Sequence, residues 1–268
     1  MAVSERPPWW RQPRSAAAAG RPLRCSRCIC FGQGMKLFMI LTAAAILAFC
    51  VRCPHLIARY LAGHLAREVL WSVRSSTRVV ALTFDDGPHP ATTPALVDLL
   101  DRYRARATFF LIGVNASRHE DLVRQIVDSG HELGNHLLSD YPSILLSATE
   151  FQAQLLGVDA TLRRFGTVRY FRPGSGFFTP RMLRIAADSG YRCALGTIST
   201  LDINSRNPQS VARRIAGKVR PGDVVVLHEG SPDRTRIVTV VESLLADLTA
   251  RGYRFVTLTE MAGRPALQ

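Results

Sequence analysis

Thr83-Phe84-Asp85-Asp86-Gly87-Pro88 is the stretch from which the fold of this chain is read. It follows Arg78-Val79-Val80-Ala81-Leu82, an apolar, β-branched run expected to be a buried strand that delivers two adjacent carboxylates to its C-terminal end. Side chains on a strand alternate between faces, so neighbouring aspartates share one site only where the strand breaks into a loop. Gly87-Pro88 is expected to supply that break. Two carboxylates so close raise one another's pKa unless a cation or a proton lies between them. The pair therefore calls for a metal or a strong base partner, the first sign of a metal-dependent hydrolase. An Asp-Asp pair in a turn is otherwise a helix cap or a solvated loop.

Outward from this stretch, apolar runs alternate with helical patterns. Ala107 to Gly113 reads as a second buried strand, Val224 to Leu227 as another and Phe255 to Leu258 as the last. Helices are expected from Pro94 to Tyr103, Asp121 to Ser129 (closed by Gly130), Ser147 to Arg164, Thr179 to Gly190 and Arg236 to Ala250. Ser147-Ala148-Thr149-Glu150 has the spacing of a capping box. This alternation implies an α/β fold with a parallel sheet or barrel, and parallel barrels carry their chemistry at the C-terminal ends of the strands. The polar residues just after the expected strands are Asp85 and Asp86, then His136 and Asp140, then Arg172, Asp202 and His228. Each alone has a bland reading as a core histidine, surface pair or turn residue; their falling at one edge does not.

The 268 residues are 47% hydrophobic, enough for one sizeable core, and carry a formal charge of +13. Of that charge, +7 lies in residues 1–52 and the rest is spread without bases interleaved with aromatics. Nucleic-acid binding is not expected, because tracking phosphates needs clustered charge. Cys25, Cys28, Cys30, Cys50 and Cys53 precede the folded region, which keeps only Cys193, so no disulfide staples the core. The two Cys-x-x-Cys pairs invite a zinc-ribbon reading. Leu37 to Phe49 between them is a near-unbroken apolar run without hairpin signals, which argues against it.

Residues 1–34, rich in Arg, Pro, Ala and Ser, read as a disordered basic tail or a product of start-site choice. Met35-Lys36 and the apolar run behind it read as a signal sequence or short anchor over 35–53, somewhat short of the roughly 20 residues of a full span. The bases on its N-terminal side place the folded part outside the cytoplasm, membrane-anchored or secreted. Residues 54–77 read as a linker, 78–262 as the single catalytic domain and 263–268 as a tail.

From about Arg78 to Met261 the chain resembles the polysaccharide deacetylases with a NodB-homology domain, carbohydrate esterase family 4. Thr83-Phe84-Asp85-Asp86-Gly87-Pro88 matches the first of that family's five motifs word for word, and Ala107 to Gly113 matches the strand after it. The resemblance implies a distorted (β/α)7-type barrel. It implies Asp85 as general base, Asp86 and His136 as metal ligands, Arg172 as the arginine that orients the base, Asp202 as partner of the acid, and His228 as general acid. It also implies an oxyanion donor at the backbone N–H of Ser175.

The chain departs from the pattern at four positions. Asp140 stands where the third ligand is a histidine, and Pro173-Gly174-Ser175-Gly176 stands for Pro-Pro-Tyr-Gly. Ile203 stands for a tryptophan. An Asp-His-Asp set cancels the charge of a dication and binds through harder ligands, so one divalent ion is expected, zinc first, with manganese, cobalt or nickel admitted. Ser175 and Ile203 remove two aromatic walls of the sugar pocket, for which Phe177 and Phe178 are candidate substitutes. The expected activity is N-deacetylation of a cell-wall or extracellular polysaccharide by a monomeric catalytic domain. The alternatives are an O-acetyl esterase on a polysaccharide and an inactive glycan-binding barrel.

Overall fold

The computed structural model describes residues 68–199, 207–230 and 235–263, together with Thr42. The basic tail, the apolar segment apart from Thr42, the paired cysteines, Asp202 and Ile203 lie outside the described residues. Among the described residues no helix is long and apolar enough to cross a membrane.

Among the described residues, nine strands form one sheet: β1 (Val69–Leu70), β2 (Val79–Gly87), β3 (Ala107–Leu111), β4 (Glu132–Asn135), β5 (Tyr170–Phe171), β6 (Arg192–Ala194), β7 (Ile198–Ser199), β8 (Val224–His228) and β9 (Arg254–Phe255). Their spatial order is β1-β6-β5-β4-β3-β2-β8-β7, with β9 paired to the start of β2, and every strand pairing is parallel. The stretch from Arg192 to Ser199 pairs with β5 at its beginning and with β8 at its end, which curls the sheet into a parallel half-barrel. The (β/α) alternation is as expected; the nine strands include two from that stretch, which is split at Leu195–Thr197, and two-residue strands at β1 and β9. The stretch read as a linker up to Thr77 gives Val69–Leu70 to the sheet, so the folded domain starts before Arg78.

Eight helices are described: α1 (Thr93–Arg102), α2 (Gly113–Arg118), α3 (Glu120–Asp128), α4 (Ala148–Leu162), α5 (Pro180–Asp188), α6 (Pro208–Ala216), α7 (Ile237–Ala250) and α8 (Leu258–Ala262). The capping box at Ser147 forms as spelled, with Ser147 Oγ accepting from the Glu150 N–H and the Glu150 carboxylate accepting from the Ser147 N–H. The expected last strand is shorter than its apolar run. Thr257 and Glu260 form a second capping box, so Leu258 begins α8 instead of extending β9.

Strand alternation sorts β2 onto two cores. Val80, Leu82 and Phe84 join the large cluster beneath the helices, while Val79 and Ala81 join a smaller cluster with Phe110, Tyr170 and Val224. Thr83 and Asp85 have the same parity as Val79 and Ala81, so they belong to the second face. Phe84 stacks on Phe109 at 4.9 Å, and both are fully buried. Burying side chains of this size contributes about 1.5–3 kcal/mol each, which makes β2 and β3 a stiff base for whatever Asp85 does.

Candidate active site

The strand does not break at Asp85-Asp86. β2 runs on to Gly87, and its register against β3 shifts between Asp85 and Gly87, so Asp86 is a bulge with φ 73°. A regular strand would send Asp86 to the helix side; one left-handed residue returns it to the side of Asp85. Two glycines permit the close approach this requires. A Cβ on Gly87 would meet Glu229 Oε1 at 2.0 Å, and one on Gly230, itself at φ 84°, would meet the Asp86 carbonyl at 2.4 Å.

The two carboxylates have separate partners. Asp85 accepts from Arg172 Nη1 at 2.5 Å. Arg172, 2% exposed just after β5, also donates to Thr83 Oγ1 at 2.8 Å and to the Ala194 carbonyl at 2.9 Å, and its guanidinium lies 4.0 Å from the centre of the Phe110 ring. Held by several hydrogen bonds, the guanidinium fixes the position of the Asp85 carboxylate. Asp86 lies between two imidazoles, with Oδ1 at 3.3 Å from His136 Nε2 and Oδ2 at 3.3 Å from His228 Nδ1. Burial opposes its charge, but hydrogen bonds to the two histidines outweigh burial and hold the carboxyl far below the usual carboxylate range.

His136 follows β4 and is oriented from behind: its Nδ1 lies 2.8 Å from the Arg172 carbonyl. A carbonyl only accepts, so Nδ1 carries a proton and Nε2 is the nitrogen turned to Asp86. This is how metal-binding histidines are commonly held, with one nitrogen donating to a carbonyl and the other turned to the site. Burial disfavours the charged ring, yet Asp85 and Asp86 raise its pKa above the ordinary value. His228 ends β8 and is paired directly with Asp85 across the sheet.

These groups line a cavity of about 320 Å³ together with Asp140, Ser175 and the apolar residues Trp71, Leu195, Gly196 and Val226. A second cavity of about 270 Å³ lies against Asp86 and Asp140 and is bounded by Asn115 and Ser139. Asp140 thus borders both. Ser175 has φ 65° and lines the first cavity. Of the sequence-predicted residues, Asp85, Asp86, His136, Asp140, Arg172, Ser175 and His228 share this cavity; Asp202 lies outside the described residues.

A metal tests this donor set. Asp86 and His136 suit a divalent ion in type and orientation, and the carbonyl behind His136 is the support such a ligand needs. Among the described residues, no three carboxylates, imidazoles or thiols stand close enough together to form a metal cluster. Asp140 borders the cavity without completing a triad with them.

Reading the sequence missed three participants. Glu229, adjacent to His228 and fully buried, accepts from Thr92 Oγ1 at 3.0 Å and Thr93 Oγ1 at 2.8 Å. Burial pushes its carboxyl up to about 7, against those hydroxyls, with Asp86 adding to the rise. It ties the His228 end of β8 to the start of α1, and no spacing rule flags it. Thr83 stands inside the first motif, where only its parity with Asp85 announces a shared face. Trp71 precedes the first motif altogether. Phe177 is 63% exposed and Phe178 packs on the main core, so neither is on the cavity wall.

Comparison with known proteins agrees with the geometry. A family profile described as polysaccharide deacetylase matches residues 72–194. A Bacillus cereus protein named peptidoglycan-N-acetylglucosamine deacetylase is 33% identical over 196 residues, covering 72% of this chain and 92% of the relative. A solved peptidoglycan N-acetylglucosamine deacetylase superposes with a TM-score of 0.69 at 28% identity, over 72% of this chain and 92% of the other. A family 4 acetyl xylan esterase from Clostridium thermocellum, solved with a cobalt ion, superposes with a TM-score of 0.64 at 30% identity, over 68% and 89%. With its two aspartates divided between an arginine and a pair of histidines on a curled parallel sheet, this chain belongs to the polysaccharide deacetylase family, carbohydrate esterase family 4.

Proposed function

We propose that this protein removes N-acetyl groups from an N-acetylated polysaccharide of the cell wall or extracellular space, with a divalent ion held by Asp86 and His136. The observation that carries the reading is the division of labour between adjacent carboxylates: Asp85 is pinned by Arg172, while Asp86 sits between two imidazoles. The names of the relatives support the substrate class and an extracytoplasmic place of action. The N-terminal apolar segment is the proposed membrane attachment or signal, and the catalytic domain is proposed to act as a monomer.

A divalent ion bound there, zinc first, or manganese, cobalt or nickel, supplies Lewis acidity to the acyl carbonyl and makes water more acidic. Asp85, oriented by Arg172 and Thr83, accepts the proton of the attacking water. The Ser175 N–H donates to the developing oxyanion. His228 then gives a proton to the departing amine, with Asp202 as its proposed partner. Asp140 is the proposed third ligand, directly or through water, since it borders the same cavity.

Acetate release measured on peptidoglycan, on N-acetylated chitooligosaccharide and on O-acetylated xylan, with zinc, cobalt and manganese added in turn, tests this. The expected result is release from an N-acetylated glycan that needs added metal. Release from O-acetylated xylan alone favours the esterase reading, which the acetyl xylan esterase neighbour supports. No release from any substrate sinks catalysis and leaves a binding barrel. For Asp140 the measure is metal affinity of Asp140→Ala: undiminished binding removes it from the ligand set.

A further inference from the structure

The cavity lining has a polar and an apolar part. Asp85, Asp86, His136, Arg172 and His228 make the reacting part, and Trp71, Leu195, Gly196 and Val226 make an apolar wall of the same cavity. The alkyl end of an acyl group whose carbonyl engages the reacting groups is accommodated by that apolar wall. Trp71, Leu195 and Val226 are each 8% exposed or less, so this wall is packed from behind and cannot recede. Gly196 closes it further, because a Cβ there would meet Val226 Cγ2 at 2.4 Å and the Val224 carbonyl at 2.9 Å.

Trp71 is the one aromatic among the described residues on this wall, histidines aside. Its backbone is fixed on both sides. Leu70 pairs with Ala194, the Leu195 N–H donates to the Leu70 carbonyl, and Ser72 bridges to Asp223 just before β8. The indole Nε1 is buried with no hydrogen-bond partner among the described residues, a cost that phenylalanine would avoid. What tryptophan offers here is ring area.

We propose that Trp71 is a specificity-determining residue that limits the acyl group accepted at this site to acetyl, an aromatic wall supplied from the strand before the first motif. This rests on the acyl-hydrolase reading above. Removing the ring opens space for another methylene, which a pocket of this kind otherwise rejects by roughly 10–200-fold.

The test compares kcat/KM for N-acetyl and N-propionyl chitooligosaccharide in the metal-loaded full chain and in Trp71→Phe, Trp71→Leu and Trp71→Ala. The acetyl preference of the unmodified chain is expected to fall at least ~10-fold in Trp71→Ala and by less in Trp71→Phe. An unchanged preference in folded Trp71→Ala, or in Trp71→Leu if the alanine variant does not fold, overturns the proposal. A second readout does not need turnover. The chain has three tryptophans, so in a Trp9→Phe, Trp10→Phe background the indole emission reports Trp71 alone. Binding of N-acetylated chitooligosaccharide is expected to shift that emission. No hydrolysis by the unmodified chain defeats the proposed function, whereas oligosaccharide binding with unshifted emission defeats the role of Trp71.

Discussion

β4 carries a buried histidine at each end, and the two have opposite chemistry. His131, just before the strand, lies 5.4 Å from the Phe109 ring, and neither of its nitrogens has a hydrogen-bond partner among the described residues. Burial drives its pKa down to about 4, against the pull of Asp101 and with a further push from Arg106. His136, just after the strand, is equally buried, but its Nδ1 is held by a carbonyl and its Nε2 faces a carboxylate. Despite burial, Asp85 and Asp86 raise its pKa. Four residues of strand separate a packing element from an imidazole turned into the cavity, the proposed metal ligand. Burial alone therefore does not mark a functional histidine; the partners at the strand's C-terminal end do.

That contrast breaks most sharply under substitution. His136→Ala is expected to reduce acetate release by about 10⁴-fold, as loss of the proposed metal ligand should, whereas His131→Phe leaves kcat within about twofold; equal losses would erase the difference between the two ends. Arg172→Ala strands Asp85 in a buried site and is expected to cost about 4 kcal/mol of stability by denaturant titration. Asp85→Asn keeps the shape and an acceptor but removes the proposed base. Steady-state kinetics should show kcat lower by about 10²- to 10³-fold with KM little changed.

The smallest expected effect concerns the other end of β4. His131 binds a proton near 6.5 when unfolded and near 4 when folded, so between those values the unfolded chain takes up the proton first. Stability is intact above pH 6.5, declines as pH falls through this window and is fully reduced below about 4, by about 3 kcal/mol. Denaturation midpoints measured across that range should slope for the unmodified chain and flatten over this contribution in His131→Phe. An unaltered slope would show that His131 is not the neutral element described.

Much of this was legible in the residues. The apolar run before Asp85 announced β2, Ser147 and Glu150 announced the cap of α4, and Asp85, Asp86, His136, Asp140, Arg172 and His228 after the strands converge on one cavity. For Asp86, alternation predicts a broken strand, whereas the structure has a single left-handed residue in a bulge, which residue types do not reveal. Thr257-x-x-Glu260 was a legible capping signal obscured by the apolar residues beside it. Glu229 and Trp71 were illegible for another reason: their roles come from close approach of segments far apart in the chain, Glu229 under Gly87 and Trp71 beside Leu195.

The most direct test of the central claim is the amount of divalent metal bound per chain, measured after equilibration with zinc and removal of free ion, for the unmodified protein, His136→Ala and His131→Phe. The account predicts one ion, none and one. A full complement of metal in folded His136→Ala would contradict it.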